Sequence, residues 1–171
     1  GPADAVASCD DVPGLPGSDE FEVSYASTTA DALGCDGALE ITLVSDDIAP
    51  GDCAGNYTIT RTVELTNCAG GSAQYIYNID IQDTSAPEFD SIPADYTVEC
   101  SDDMPMEDAT ASDNCGTVSI EVVSETTPGN AAGNYTITRT FTATDDCGNS
   151  NSATQTITVQ DTTAPEFTSV P

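Results

Sequence analysis

Tyr135-Thr-Ile-Thr-Arg-Thr-Phe-Thr-Ala143 sets Tyr, Ile, Arg, Phe and Ala on one parity and threonine on the other. A period of two is the signature of a β-strand with one face turned to a core. Threonine and the β-branched residues suit that pleated surface and disfavour helix. Downstream, the turn-rich Asp145-Asp-Cys-Gly-Asn149 leads into Ala153-Thr-Gln-Thr-Ile-Thr-Val159, a second strand, so the pair reads as a hairpin. Upstream, Tyr96–Glu99 and Val118–Val123 are further strands, and no stretch carries a period of 3.6. Several short strands separated by turns within about 80 residues point to a β-sandwich. The Gly-x-Tyr that opens the long strand has the form of a tyrosine corner.

The same stretch occurs twice. Ala54–Thr62 recurs unchanged at Ala132–Thr140, 78 residues on. Gln82-Asp-Thr-Ser-Ala-Pro-Glu-Phe89 recurs at Gln160–Phe167 with one Ser/Thr exchange. The chain therefore divides into a repeat over 1–86 and a repeat over 87–171. The first copy holds an insertion at about 10–33 that includes Gly14-Leu-Pro-Gly-Ser-Asp19, a surface-loop composition. Residues 165–171 read as the start of a next repeat or a terminal strand. The expected fold class is all-β: two tandem Ig-like antiparallel β-sandwich domains in an extended array.

Composition narrows the chemistry. The 171 residues include 30 Asp or Glu against 2 Arg and no Lys, for a net charge of −28. Such a chain does not neutralise phosphates, which argues against nucleic acid and anionic membranes as partners. Without His or Lys there is no imidazole base, no His-ligated zinc and no Schiff-base lysine. No apolar run approaches the roughly 18 residues of a membrane span. Paired carboxylates alone, in domains of this size, give no reason to expect an enzyme. What remains is carboxylate and carbonyl chemistry, whose natural partner is a hard cation. Seven cysteines without a CxxC pair read as disulfides of an oxidising, secreted or cell-surface setting. No secretory leader opens the chain, so it is expected to be a monomeric fragment of a longer secreted protein.

Asn-Tyr-Thr-Ile-Thr-Arg-Thr, Asp-Asp-Cys-Gly-Asn and Gln-Asp-Thr-Thr-Ala-Pro together resemble the Ig-like, HYR-related repeats of giant surface proteins of Bacteroidota, adhesins among them. The resemblance implies a non-catalytic stalk whose partners are neighbouring repeats. Asp83-Thr-Ser-Ala-Pro87 resembles the linkers of cadherins, where calcium rigidifies adjoining sandwiches. In a sandwich of this kind Asp113-Asn-Cys-Gly116 and Asp145–Asn149 are loops at the end of the second domain that faces the first. The expected Ca2+ ligands are therefore Asp83, Asp113, Asp145, Asp146 and Asn149. Asp161 joins them only where a further repeat follows, and that half-site is expected to be open here. Aligned on cysteine, copy one offers Leu33 and Gly34 for Asp113 and Asn114, and Thr66 and Asn67 for Asp145 and Asp146, so no cation is expected at its far end.

Equivalent loops suggest Cys35 with Cys68 and Cys115 with Cys147, which leaves Cys9 with Cys53 and Cys100 as a free thiol. Spacing alone leaves the connectivity open. Arg61 and Arg139 are expected to pair with carboxylates on neighbouring strands. The Asn56 and Asn134 sequons are expected to be corner segments rather than glycosylation sites. The alternative to a stalk is an adhesive module for a surface glycan or protein, centred on Phe21 and Tyr25 of the insertion.

Overall fold

The computed structural model describes residues 5–9, 39–67 and 69–167; the insertion, Cys35, Cys68 and 168–171 lie outside these. Among the described residues all regular structure is strand. The chain forms two compact units, Gly1–Thr84 with Asn114–Gly116, and Ser85–Asp113 with Thr117–Pro171.

The first unit contains β1 (Ala5–Ser8), β2 (Leu39–Pro50), β3 (Tyr57–Asn67) and β4 (Ser72–Gln82) in one sheet of order β1-β4-β3-β2. The second contains β5 (Glu88–Ser91), β6 (Tyr96–Glu99), β7 (Thr110–Ser112), β8 (Val118–Pro128), β9 (Tyr135–Asp145) and β10 (Ser150–Gln160). Its main sheet has the order β6-β10-β9-β8, and β5 pairs with β7 in a second, two-stranded sheet, the two-layer plan of a β-sandwich.

The hairpins β3–β4 and β9–β10 are antiparallel throughout. One departure from the expected antiparallel sheet recurs in both units. The short strand β1 joins β4 in parallel, Ala5 opposite Ile79 and Ser8 opposite Gln82. Likewise β6 joins β10 in parallel, Tyr96 opposite Ile157 and Glu99 opposite Gln160. Parallel neighbours need a long connection, and each short strand reaches its sheet edge from far along the chain.

The alternation read from the sequence is the burial pattern of the strands. On β9 Ile137, Arg139, Phe141, Ala143 and Asp145 are buried while the threonines between them are half-exposed. Phe141, Ile157 and Val159 are at most 1% exposed. On β3 and β4 the buried set is Ile59, Val63, Tyr77, Ile79 and Ile81. Burying each such side chain contributes roughly 1.5–3 kcal/mol. The outer edges of the sheets, β2 and β8, carry Glu40, Asp46, Asp47, Glu121 and Glu125, charges that discourage edge-to-edge pairing.

Candidate functional site

The β9–β10 turn is built by Asp145. Its Oδ1 accepts the backbone N–H groups of Cys147 and Asn149, both at 2.8 Å, and its Oδ2 accepts the Asn149 side-chain amide at 2.9 Å. Gly148 turns the corner at φ 89°, in the left-handed region. Burial pushes the Asp145 carboxyl up, but the hydrogen bonds from Asn149, Cys147 and Gly148 outweigh it and hold the group below the ordinary aspartate range. In the first unit Asn67 does the same work. Its Oδ1 accepts the N–H groups of Ala69 at 3.1 Å and Gly71 at 2.8 Å, and Gly70 has φ 81°. Asn67 is therefore the counterpart of Asp145. The cysteine-based alignment, which set Thr66 there, is corrected by one residue because the turn, not the cysteine, fixes the register.

Of the expected ligands in the second unit, Asp113 and Asp145 come together, with carboxylate oxygens within 4.8 Å. Asp146 turns elsewhere: its carboxylate accepts the N–H of Thr117 at 3.0 Å and the Thr117 hydroxyl at 2.9 Å. Asn149 is engaged with Asp145. Asp161 lies at a different place, beside Glu99 and Cys100.

Asp83 and Asp161 sit in duplicated corners. Each follows the last residue of a hairpin strand, Gln82 or Gln160, and each donates its backbone N–H to an asparagine Oδ1 at 2.8 Å, Asn56 for Asp83 and Asn134 for Asp161. A glycine lies against each: a Cβ on Gly55 would stand 2.5 Å from the Asp83 Cβ, and one on Gly133 3.1 Å from the Asp161 Cβ. What closes the corner is thus the asparagine, whose amide is also occupied (Asn56 Nδ2 donates to Asp52 at 2.8 Å); elsewhere in the second unit the Tyr96 hydroxyl donates to a backbone carbonyl, that of Pro105, at 2.9 Å. The sequence placed Asn56 and Asn134 in corner segments, as the unchanged Gly-Asn-Tyr of both copies suggests, but assigned the closing bond to the tyrosine and not to the asparagine side chain.

The cysteine pairing is corrected. Cys9, one residue past the Ser8–Gln82 pair, is bonded to Cys115 with Cα atoms 6.1 Å apart, so neither Cys9–Cys53 nor Cys115–Cys147 forms. The expectation confined each bridge to one copy, whereas the tripeptide Asn114–Gly116 belongs to the first compact unit. Both sulfurs lie within 4.8 Å of the Asp83 carboxylate. Cys53 and Cys147 are also disulfide-bonded. Cys100 is a free, exposed thiol. Burial first, then the charges of Asp161 and Glu99, push it up. Glu99, which sequence reading left out, takes hydrogen bonds from the N–H and hydroxyl of Thr162 and from the Thr163 hydroxyl, and these hold it below the ordinary glutamate range. The expected Cys35–Cys68 pair and the Phe21 and Tyr25 platform lie outside the described residues.

The two arginines are buried. Arg61 grips Asp46, its cross-strand neighbour, through Nε and Nη2, both at 2.8 Å. Arg139 lacks a cross-strand carboxylate, its β8 neighbour being Ser124. It donates instead to the Glu107 carbonyl, to Gln155 Oε1 at 3.1 Å and to Asp108 at 3.3 Å, and it lies 4.9 Å over the Phe141 ring.

The second copy also carries a family signature. Residues 89–159 match the model of the HYR-like domain with 4 cysteines. Within this HYR-like segment the cysteines are Cys100, Cys115 and Cys147. No curated protein matches the chain. Among solved structures, Drosophila N-cadherin EC1-4 aligns with 15% identity and a TM-score of 0.35 over 74% of this chain and 42% of that one. Protocadherin Gamma B2 extracellular cadherin domains 1-5 align with 15% identity and a TM-score of 0.34 over 74% of this chain and 34% of that one. The chain thus spans less than half the length of either. No helix among the described residues is long and apolar enough to cross a membrane.

Proposed function

We propose that the chain is a pair of tandem, non-catalytic extracellular repeats from the stalk of a large bacterial surface adhesin, stiffened by Ca2+ at the junction of the two copies and by disulfides. The observation that carries the cation is the Asp113–Asp145 pair, whose carboxylate oxygens come within 4.8 Å in a chain without lysine. Like charges that close repel unless a cation compensates them. The turn itself does not require the charge, since neutral Asn67 builds it in the first unit. Oxygen-only donors fit a hard cation, which takes roughly 6–8 of them. In this reading Asp83 supplies a further oxygen from the linker, and Asn149 orients Asp145. Asp146, occupied with Thr117, serves its loop, and Asp161 plays the part of Asp83 toward a further repeat. The extracellular setting is supported by the HYR-like match and the disulfides.

The test is a thermal melt in millimolar calcium, in magnesium and in chelator. A ligand that binds only the folded state at a hundredfold excess over its dissociation constant stabilises by about 2.7 kcal/mol. A rise with calcium that exceeds the rise with magnesium, and that Asp113→Asn abolishes, supports the clamp. Equal rises with both ions reduce the pair to charge screening.

A further inference from the structure

The corner around Cys100 is built like the corner around Cys9, but it is open. Cys9 and Cys100 each stand one residue beyond a parallel pairing of the same register, Ser8 with Gln82 and Glu99 with Gln160. The Cys100 N–H donates to the Gln160 carbonyl at 3.0 Å, which fixes the cysteine beside Asp161. The Cys100 sulfur would lie 3.6 Å from a Cβ on Gly133, the glycine that backs Asp161. Every part of the first corner therefore has its counterpart: Cys9, Asn56, Gly55 and Asp83 against Cys100, Asn134, Gly133 and Asp161.

The difference lies in exposure. Asp83 is 6% exposed and Gly55 is buried, and Cys9 is bonded to Cys115 of the tripeptide Asn114–Gly116. Asp161, Gly133 and Cys100 are all exposed. The next repeated landmark follows suit. Phe89 is half-buried on β5, opposite Ala111 of β7, whereas its counterpart Phe167 is 91% exposed. Meanwhile Glu99, through Thr162 and Thr163, fixes the backbone that leads away from the open corner.

We propose that Cys100 is a docking cysteine, which takes the cysteine of an Asp-Asn-Cys-Gly loop from a following repeat as Cys9 takes Cys115. The array is then joined sulfur to sulfur at each junction. The inference rests on the tandem-repeat reading and not on the calcium. A second copy of this chain is not the partner, because its Cys115 is already bonded to its own Cys9. The bond forms by exchange with a small-molecule disulfide such as oxidised glutathione. The loop cysteine's thiolate displaces one glutathione thiolate to give a mixed disulfide. Docking brings that mixed disulfide to the corner, where the Cys100 thiolate displaces the second. Two thiol protons go to the departing glutathione thiolates, and one glutathione disulfide is reduced to two thiols. The Asp161 and Glu99 carboxylates disfavour the Cys100 thiolate, so the exposed thiol resists casual capture and reacts when the loop brings its partner close.

The test is a concatemer: the full chain through Phe167, continued by a duplicate of residues 90–171 in which the duplicate's own Cys100 and Cys147 are replaced by serine. The only added thiol is then the duplicate's Cys115. After refolding in a glutathione buffer, thiols are counted in denaturant and the bridges are mapped by mass spectrometry. The expected result is loss of the Cys100 thiol, from one per wild-type chain to none in the concatemer, with Cys100 linked to the duplicate's Cys115. Thiol on both residues, or Cys100 bonded to Cys100 of another chain, overturns the proposal. The Cys9–Cys115 peptide in the same digest is the internal control. Its presence without the new bridge overturns the docking cysteine and leaves the tandem reading standing. Its absence along with the new bridge removes both.

Discussion

Asn67 and Asp145 build the same turn with different charge: each Oδ1 accepts the backbone N–H groups two and four residues further on. The turn needs an oxygen acceptor and not an anion. Asp145→Asn is therefore expected to keep the hairpin within about 0.5 kcal/mol in urea unfolding, while Asp145→Ala, which strips the acceptor from the part-buried N–H groups of Cys147 and Asn149, costs about 1–3 kcal/mol. Both variants are expected to lose the calcium-specific part of the thermal shift, which separates the structural duty of the side chain from its charge.

Acid unfolding carries the same signature. The folded Asp145 carboxyl lies below its unfolded value near 3.8, so its contribution is fully present above that value and is lost as pH falls through the lower, folded one. The stability gap between wild type and Asp145→Ala is expected to be constant from pH 7 to about 5 and to narrow steadily below about 4. Urea titrations at closely spaced pH values read it directly. A gap that widens on acidification would reverse the sign.

The two arginines respond differently to loss of their carboxylates. Asp46→Asn removes the charge and turns one of the two oxygens that grip Arg61, whose side chain is 6% exposed, into a donor, and is expected to cost about 1–3 kcal/mol after allowance for the part-exposed Asp46. Asp108→Asn removes the charge of an 82% exposed carboxylate, while Gln155 and the Glu107 carbonyl still hold Arg139, and is expected to change stability by less than about 0.5 kcal/mol. Guanidinium unfolding of the two variants side by side decides the order.

Cys9→Ser releases a bridge between residues 106 apart in sequence. In the chain-entropy model a loop near that length stabilises by about 4.7 kcal/mol, so a fall of roughly 3–5 kcal/mol is expected, with Cys115 newly reactive toward maleimide. Cys100→Ser breaks no bridge and is expected to leave the melting temperature unchanged.

The strands were legible because threonine on alternate positions of 135–143 leaves one periodicity open, and because the unchanged nonapeptide at 54–62 and 132–140 declared the repeat. The parallel entry of β1 and β6 was not legible. A four-residue strand such as Ala5–Ser8 carries no mark of which neighbour it chooses. The partner of Cys9 was hidden for a related reason, since the four cysteines of the first copy can be paired within it and give no sign that one of them bonds Cys115. The acidic residues were found as a set, but their separate duties were not. Asp146 and Asp145 are adjacent and chemically identical, and only the fold shows one held by Thr117 and the other inside its turn.

The parallel seams β1–β4 and β6–β10 also decide how each unit meets tension. Among the described strands the first unit begins with β1 and ends with β4, while in the second β6 follows β5 and lies beside the last strand, β10; both neighbours run the same way. Pulling the entry of β6 and the exit of β10 apart slides the two strands along each other, so the hydrogen bonds between 96–99 and 157–160 bear the load together and do not open one at a time. Shear of this kind resists force far better than unzipping, and a repeat built around it is suited to being stretched.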